Sequence, residues 1–129
     1  MDHATTNSWI LLAIDMVAQT APASLDKIIG AADALNHAIP LHTELQTAIG
    51  WLIQESLVTQ QGKDYGLTSR GKDLMADIKS RTTKPFDGWD LLKQRFATAK
   101  IPNELADISE VEWRHAYDKY YNRALEMKR

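Results

Sequence analysis

The hydrophobic period of this chain changes around Leu57, and that change restricts the folds open to it. Before Leu57, apolar residues recur at three- and four-residue spacings, the pattern of helices with one buried stripe. After it, Leu57-Val58-Thr59-Gln60 and Tyr65-Gly66-Leu67 flank the turn-forming run Gln61-Gly62-Lys63-Asp64, which reads as a small β-hairpin. Three helices are predicted ahead of the hairpin. In the first, Trp9, Leu12, Ala13, Met16 and Val17 share a face, with Asn7 and Ser8 as candidate caps. Ile10, Leu11 and Ile14 fill its other sides, so most of this helix is expected to be buried. The second is capped by Ser24, buries Leu25, Ile28, Ile29, Ala32 and Leu35, and stops at Asn36. Pro40 then favours a new helix just after it, from Leu41 to Ser56, with Leu45, Ala48, Ile49, Leu52 and Ile53 facing inwards. Gly50 lies within that helix, where either a close backbone neighbour or plain tolerance accounts for it.

A fourth helix comes after the hairpin, capped by Thr68 and carrying Leu74, Met75 and Ile78. Thr82-Thr83-Lys84-Pro85 reads as a linker and divides the chain into residues 1–81 and a helical extension, residues 82–129. The extension holds a short amphipathic helix through Trp89, Leu92 and Phe96, then a break at Ile101-Pro102-Asn103. Ser109 and Glu112 form a capping box for a last helix with an aromatic face.

Several functional classes drop out on composition. The 129 residues contain no cysteine, which removes disulfide scaffolds, thiol nucleophiles and Cys-ligated metal sites. The longest apolar run, Trp9 to Ile14, is too short for a membrane span, and Met1-Asp2-His3 lacks the basic stretch of a signal peptide. A cytoplasmic protein without membrane contact is expected. Phosphate-cradling glycine loops and a G-x-S-x-G elbow are absent, and no enzyme or cofactor is expected. His37, His42, Asp33 and Glu44 cluster around one turn, but their spacing matches no helix-borne metal pair, so no metal is expected.

The net charge of −2 is unevenly divided. Residues 1–62 carry one base, Lys27, against six acids, for −5. Residues 63–129 carry fourteen bases and eleven acids, for +3. Uniform basicity, the mark of a general nucleic-acid binder, is missing.

The second strand and the start of the next helix, Tyr65-Gly66-Leu67-Thr68-Ser69-Arg70-Gly71-Lys72, resemble the Tyr-x-Leu-Thr-x-x-Gly end of the wing in bacterial and archaeal winged helix-turn-helix regulators, MarR- and PadR-like in the broad sense. The preceding run Glu44-Leu45 to Leu57-Val58 is similar to the recognition helix of that family. The resemblance covers roughly residues 7–80. It implies a mainly α fold with a small β-hairpin wing, here with a C-terminal helical extension, and binding to double-stranded DNA as a transcription regulator. By position, it assigns His42, Thr43, Gln46, Thr47 and Gln54 to the major groove, and Lys63, Arg70 and Lys72 to phosphate.

The third helix departs from the family in having no base between Lys27 and Lys63, while carrying Glu44, Glu55 and Trp51. The alternative is a winged-helix module that meets a protein partner through this acidic helix and does not bind DNA. The aromatic face of the last helix, Trp113, Tyr117, Tyr120 and Tyr121, suits a homodimer interface or packing back on the first helix better than stacking on single-stranded bases.

Overall fold

A computed structural model describes residues 2–127. Six helices and one two-stranded antiparallel sheet are present among them, so the chain is mainly α with a small hairpin, as expected. The elements are α1 (His3–Val17), α2 (Leu25–Asn36), α3 (His42–Gln54), β1 (Val58–Gln61), β2 (Asp64–Leu67), α4 (Ser69–Arg81), α5 (Pro85–Arg95) and α6 (Glu110–Met127). No helix is long and apolar enough to cross a membrane among the described residues.

Helix α1 begins four residues before its expected caps. Asp2 is the N-cap, its carboxylate accepting from the Thr5 amide at 2.7 Å. Asn7 and Ser8 are instead buried inside the helix. The Ser8 hydroxyl donates back to the Ala4 carbonyl, a bond that lets serine sit within a helix, and accepts from the Trp89 indole at 2.9 Å. Trp9 through Ile14 are all buried, because α2, α3 and α5 surround α1.

Helix α2 ends at Asn36, but the left-handed residue is His37, with φ of 51°. Helix α3 ends earlier than the sequence indicates, in a Schellman turn. Ser56 takes φ of 60°, its amide bonds the Ile53 carbonyl, and the Leu57 amide bonds the Leu52 carbonyl. This turn sends the chain directly into β1.

The hairpin pairs Val58 with Leu67 and Gln61 with Asp64 around a Gly62-Lys63 turn. Gly62 supplies the positive φ, 64°, that a two-residue hairpin turn requires. A two-stranded hairpin is marginal alone. Here Ala23, in the α1–α2 connector, exchanges two backbone bonds with Tyr65 and ties the hairpin to the helices. Tyr65 is buried, and that burial, followed by the charges of Glu112 and Asp107, pushes its hydroxyl up to about 12.

The expected boundary at residue 81 coincides with the end of α4, where Thr82 is the C-cap. Residues beyond it nevertheless join the same core. Trp89 of α5 stacks on Trp9 of α1, with ring centroids 6.5 Å apart. Leu92, Phe96, Ala106, Ile108 and Ala116 belong to one buried apolar cluster with residues of α1, α2 and α3. The chain then crosses α3 as an irregular strap, residues 101–109, and α6 packs against α2.

Candidate functional site

The site to which the sequence points is the outward face of α3, opposite Leu45, Ala48, Ile49 and Leu52, which are fully buried. His42, Gln46, Gly50 and Gln54 repeat every four residues and form one ridge on that face. The strap lies along this ridge. The Gln46 carbonyl accepts from the Ala106 amide at 3.0 Å. The Gln46 side-chain amide donates to the Ile108 carbonyl at 3.0 Å, and His42 Nε2 meets the same oxygen. A carbonyl only accepts, so His42 carries a proton on Nε2 in this contact. At the other end, Gln54 Oε1 accepts from the Asn103 amide at 3.0 Å.

Gly50 makes this approach feasible. A Cβ at that position would lie 2.6 Å from the Glu104 carbonyl oxygen and 3.0 Å from the Ala106 nitrogen. The close-neighbour account of Gly50 is therefore the physical one. In the strap, Pro102, Ala106 and Ile108 are buried, while Ile101, Asn103, Glu104, Leu105 and Asp107 are exposed. The segment is irregular: it bends at Asn103-Glu104, and the Ile108 amide donates to the Ala106 carbonyl at 2.9 Å. No periodicity in residues 101–109 marks which of its apolar residues turn inwards, since Ile101 and Leu105 are exposed and Ala106 and Ile108 buried.

Of the expected groove-facing residues, His42, Gln46 and Gln54 thus hold the strap. Thr43 remains exposed and Thr47 is half-buried. Trp51 departs from expectation. It is buried, its ring 4.7 Å from Phe96 in an edge-on contact, because the end of α5 covers it. An outward Trp51 available to a partner is not what this fold contains. Glu44 accepts from the Leu41 amide at 2.9 Å and so caps its own helix.

The expected phosphate contacts separate in space and in state. Lys63, at the hairpin turn, pairs with Glu112 of α6 at 3.2 Å. The Lys63 ammonium is the main cause holding the Glu112 carboxyl below its usual range. Arg70 and Lys72 lie exposed in the first turn of α4 and form no ion pair among the described residues.

Two of the four aromatic residues assigned to a dimer interface turn inwards, onto α2 and the connector after it, not onto α1. The Trp113 indole donates to the Pro40 carbonyl at 3.0 Å, and the Tyr120 hydroxyl donates to Asp33 at 2.6 Å. The Tyr120 ring lies against Gly30, where a Cβ would sit 3.1 Å away. The Asp33 hydrogen bond, with burial, pushes the Tyr120 hydroxyl up to about 12. Tyr117 is half-buried, and Tyr121 is exposed and stacked on it at 6.0 Å.

A charged clamp closes the far end of α6. Arg123 donates to the buried Asp26 carboxylate at 2.9 Å, with Lys119 3.8 Å away. Burial pushes the Asp26 carboxyl up, but the Ser24 and Arg123 hydrogen bonds and the charges of Lys119 and Arg123 outweigh it and hold the group below 3.8. A carboxyl lowered in the folded state stabilises that state above its ordinary range. The contribution disappears as pH falls through the folded-state value. Arg123→Ala should therefore cost about 1 kcal/mol at neutral pH, and the difference from wild type should shrink in acid below 3.8. Thermal melts of both proteins across that range check this, and a cost independent of pH would remove the clamp.

Comparison with protein-family models, with curated proteins and with solved structures gives no match to this chain. The geometry of the α3 face carries the functional argument by itself.

Proposed function

We propose that this chain is a winged-helix protein-interaction module and not a DNA reader. In this reading the hairpin is the wing and α3 is the counterpart of a recognition helix. The observation that supports it is the occupied α3 face. His42, Gln46 and Gln54, the side chains best suited by position to meet base edges, instead hydrogen-bond the backbone of residues 103–108.

Electrostatics supports the same conclusion. DNA affinity rests largely on neutralised phosphates. Helix α3 has Glu44 and no base, with Glu55 directly after it, and the base at the hairpin turn, Lys63, is already paired with Glu112. The chemistry available on α3 is amide and imidazole donors and acceptors that satisfy a crossing main chain, together with a glycine that admits it closely.

Titration of mixed-sequence duplex DNA with the full chain tests the reading. No binding is expected even at about 50 mM salt, where phosphate contacts are strong. Duplex binding that weakens steeply as salt is raised would overturn it.

A further inference from the structure

We infer that a cavity between α1, α4 and the α4–α5 turn binds a small aliphatic carboxylate, its chain inside and its charged head at the turn. No residue of α3 lines this cavity, so the inference does not rest on the reading given to the α3 face.

Helical spacing places the walls. Leu12, Asp15 and Met16 share a face of α1, and Met75, Ile78 and Lys79 share a face of α4, each set at i, i+3 and i+4. Leu35 of α2 and Gly88 of α5 line the space with them. The cavity holds about 460 Å³, within the range of small-molecule sites. Its interior is apolar, since Leu12, Leu35, Met75 and Ile78 are all buried. Met16 leaves 49% of its surface uncovered. Thioether side chains of this kind adapt to irregular apolar partners.

Gly88 keeps the space open. Within a helix glycine is less stable than alanine. A Cβ there would meet only Ile78 Cγ2 at 3.4 Å and Thr82 Cγ2 at 3.9 Å, ordinary contact distances. Packing does not require this glycine, in contrast to Gly50 and Gly71. Its effect is to leave room against Ile78 and Thr82, which both line the cavity.

Charge selects the head group. The ionisable lining residues are Asp15, Lys79 and Lys84. Lys79 neutralises Asp15 at 2.8 Å, and the Asp15 carboxylate also accepts from Gln19. Lys84 enters no ion pair among the described residues. The lining therefore carries one positive charge in excess beside an apolar interior. An aliphatic chain with an anionic head complements both. A cationic head would meet two bases and an acid already paired. Lys84 is exposed in the turn, so a carboxylate beside it keeps contact with water and avoids the cost of full burial.

The test titrates the full chain at neutral pH with decanoate, decanol and decylamine, each below the concentration at which it self-associates. Methionine methyl shifts report the place of binding. Met16 and Met75 line the cavity, while Met127, 83% exposed at the end of α6, does not. The variants are Lys84→Glu, which reverses the free charge, and Gly88→Leu, which fills the space. Circular dichroism follows their helix content.

Decanoate should bind the wild-type chain saturably, with a Kd below about 1 mM, and move the Met16 and Met75 methyls but not that of Met127. It should bind at least roughly fivefold more tightly than decylamine, the contribution of one exposed ion pair. Lys84→Glu should weaken decanoate by a similar factor and leave decanol unchanged. A helical Gly88→Leu should lose both. Binding that does not saturate, or that moves all three methyls alike, is adsorption to the surface and overturns the proposal. So does decylamine bound as tightly as decanoate, or a Lys84→Glu chain that binds decanoate like wild type. A helical Gly88→Leu with wild-type affinity would show that the chain does not enter the cavity. If Gly88→Leu loses its helices, the wild-type methyl shifts decide that point.

Discussion

Gly71→Ala should destabilise the protein by about 3 kcal/mol or more, with a fall in Tm of roughly 10 °C. The sign is the informative part. Alanine in place of glycine within an unobstructed helix gains about 1 kcal/mol. At position 71 the added Cβ would lie 2.1 Å from the Leu57 carbonyl oxygen. That carbonyl cannot retreat. It accepts from the Thr68 amide at 3.1 Å, and its residue comes directly after the turn that closes α3. The start of α4 is fixed as well, since the Thr68 hydroxyl caps the Gly71 amide at 3.0 Å and donates to the Ser56 carbonyl. Two rigid backbones cross at van der Waals distance with no soft side chain between them. Thermal unfolding followed by circular dichroism measures the effect. A Tm equal to or above that of wild type would show that α4 does not cross the end of α3 as described.

Gly50→Ala should give the second-largest effect, by a different route. The Cβ meets the Glu104 carbonyl at 2.6 Å and the Ala106 nitrogen at 3.0 Å, both in the strap and not in a packed helix. The strap is held to α3 by a few hydrogen bonds and two buried anchors, so it should lift before α3 shifts. A loss of about 2 kcal/mol is expected. The sharper signature is local. Exchange of the Ala106 amide, which donates to the Gln46 carbonyl, should quicken at least roughly tenfold. Amides in α1, whose residues Trp9 through Ile14 are buried, should keep their protection in proportion to global stability. Uniform loss of protection would mean that strap and core open as one unit. Unchanged protection at Ala106 would mean that the strap does not lie on Gly50.

These two glycines show how far the sequence could be read. Gly71 stands in a local run with Tyr65, Leu67 and Thr68 at set offsets from it, but the Leu57 carbonyl that its missing Cβ leaves room for is identified only by the fold. The helix stripes and the hairpin were legible, since their spacing repeats every three to four or every two residues. The ends of elements were less so. Asn7 and Ser8 looked like caps by residue type, but Asp2 caps α1 and the Ser8 hydroxyl bonds back into the helix and to Trp89. Ser56 gave no sign of its positive φ, because serine adopts that conformation only when its surroundings impose it.

Trp51 shows the same limit on the packing level. On the helix wheel it lies at the edge of the buried stripe, roughly 60° from Ala48 and roughly 120° from Leu45, where spacing alone does not decide between core and solvent. The end of α5, more than forty residues on, brings Phe96 over it. Tyr120 and Trp113 likewise carried the pattern of a helix with an apolar face but no record of which surface receives it.

By itself, then, the sequence determined a mainly helical chain with one hairpin after its third helix and an acidic α3 whose outward polar residues include His42, Thr43, Gln46, Thr47 and Gln54. These features arise from spacing and residue type over a few turns, where chain connectivity fixes the neighbours. Only the tertiary structure decided that His42, Gln46 and Gln54 among them form one ridge, and what that ridge touches. The hydrogen bonds from His42 and Gln46 to Ile108 join residues 66 and 62 positions apart. Contacts at that range depend on how a break at Pro102 and the packing of α5 direct the returning chain, and no periodicity within α3 encodes them.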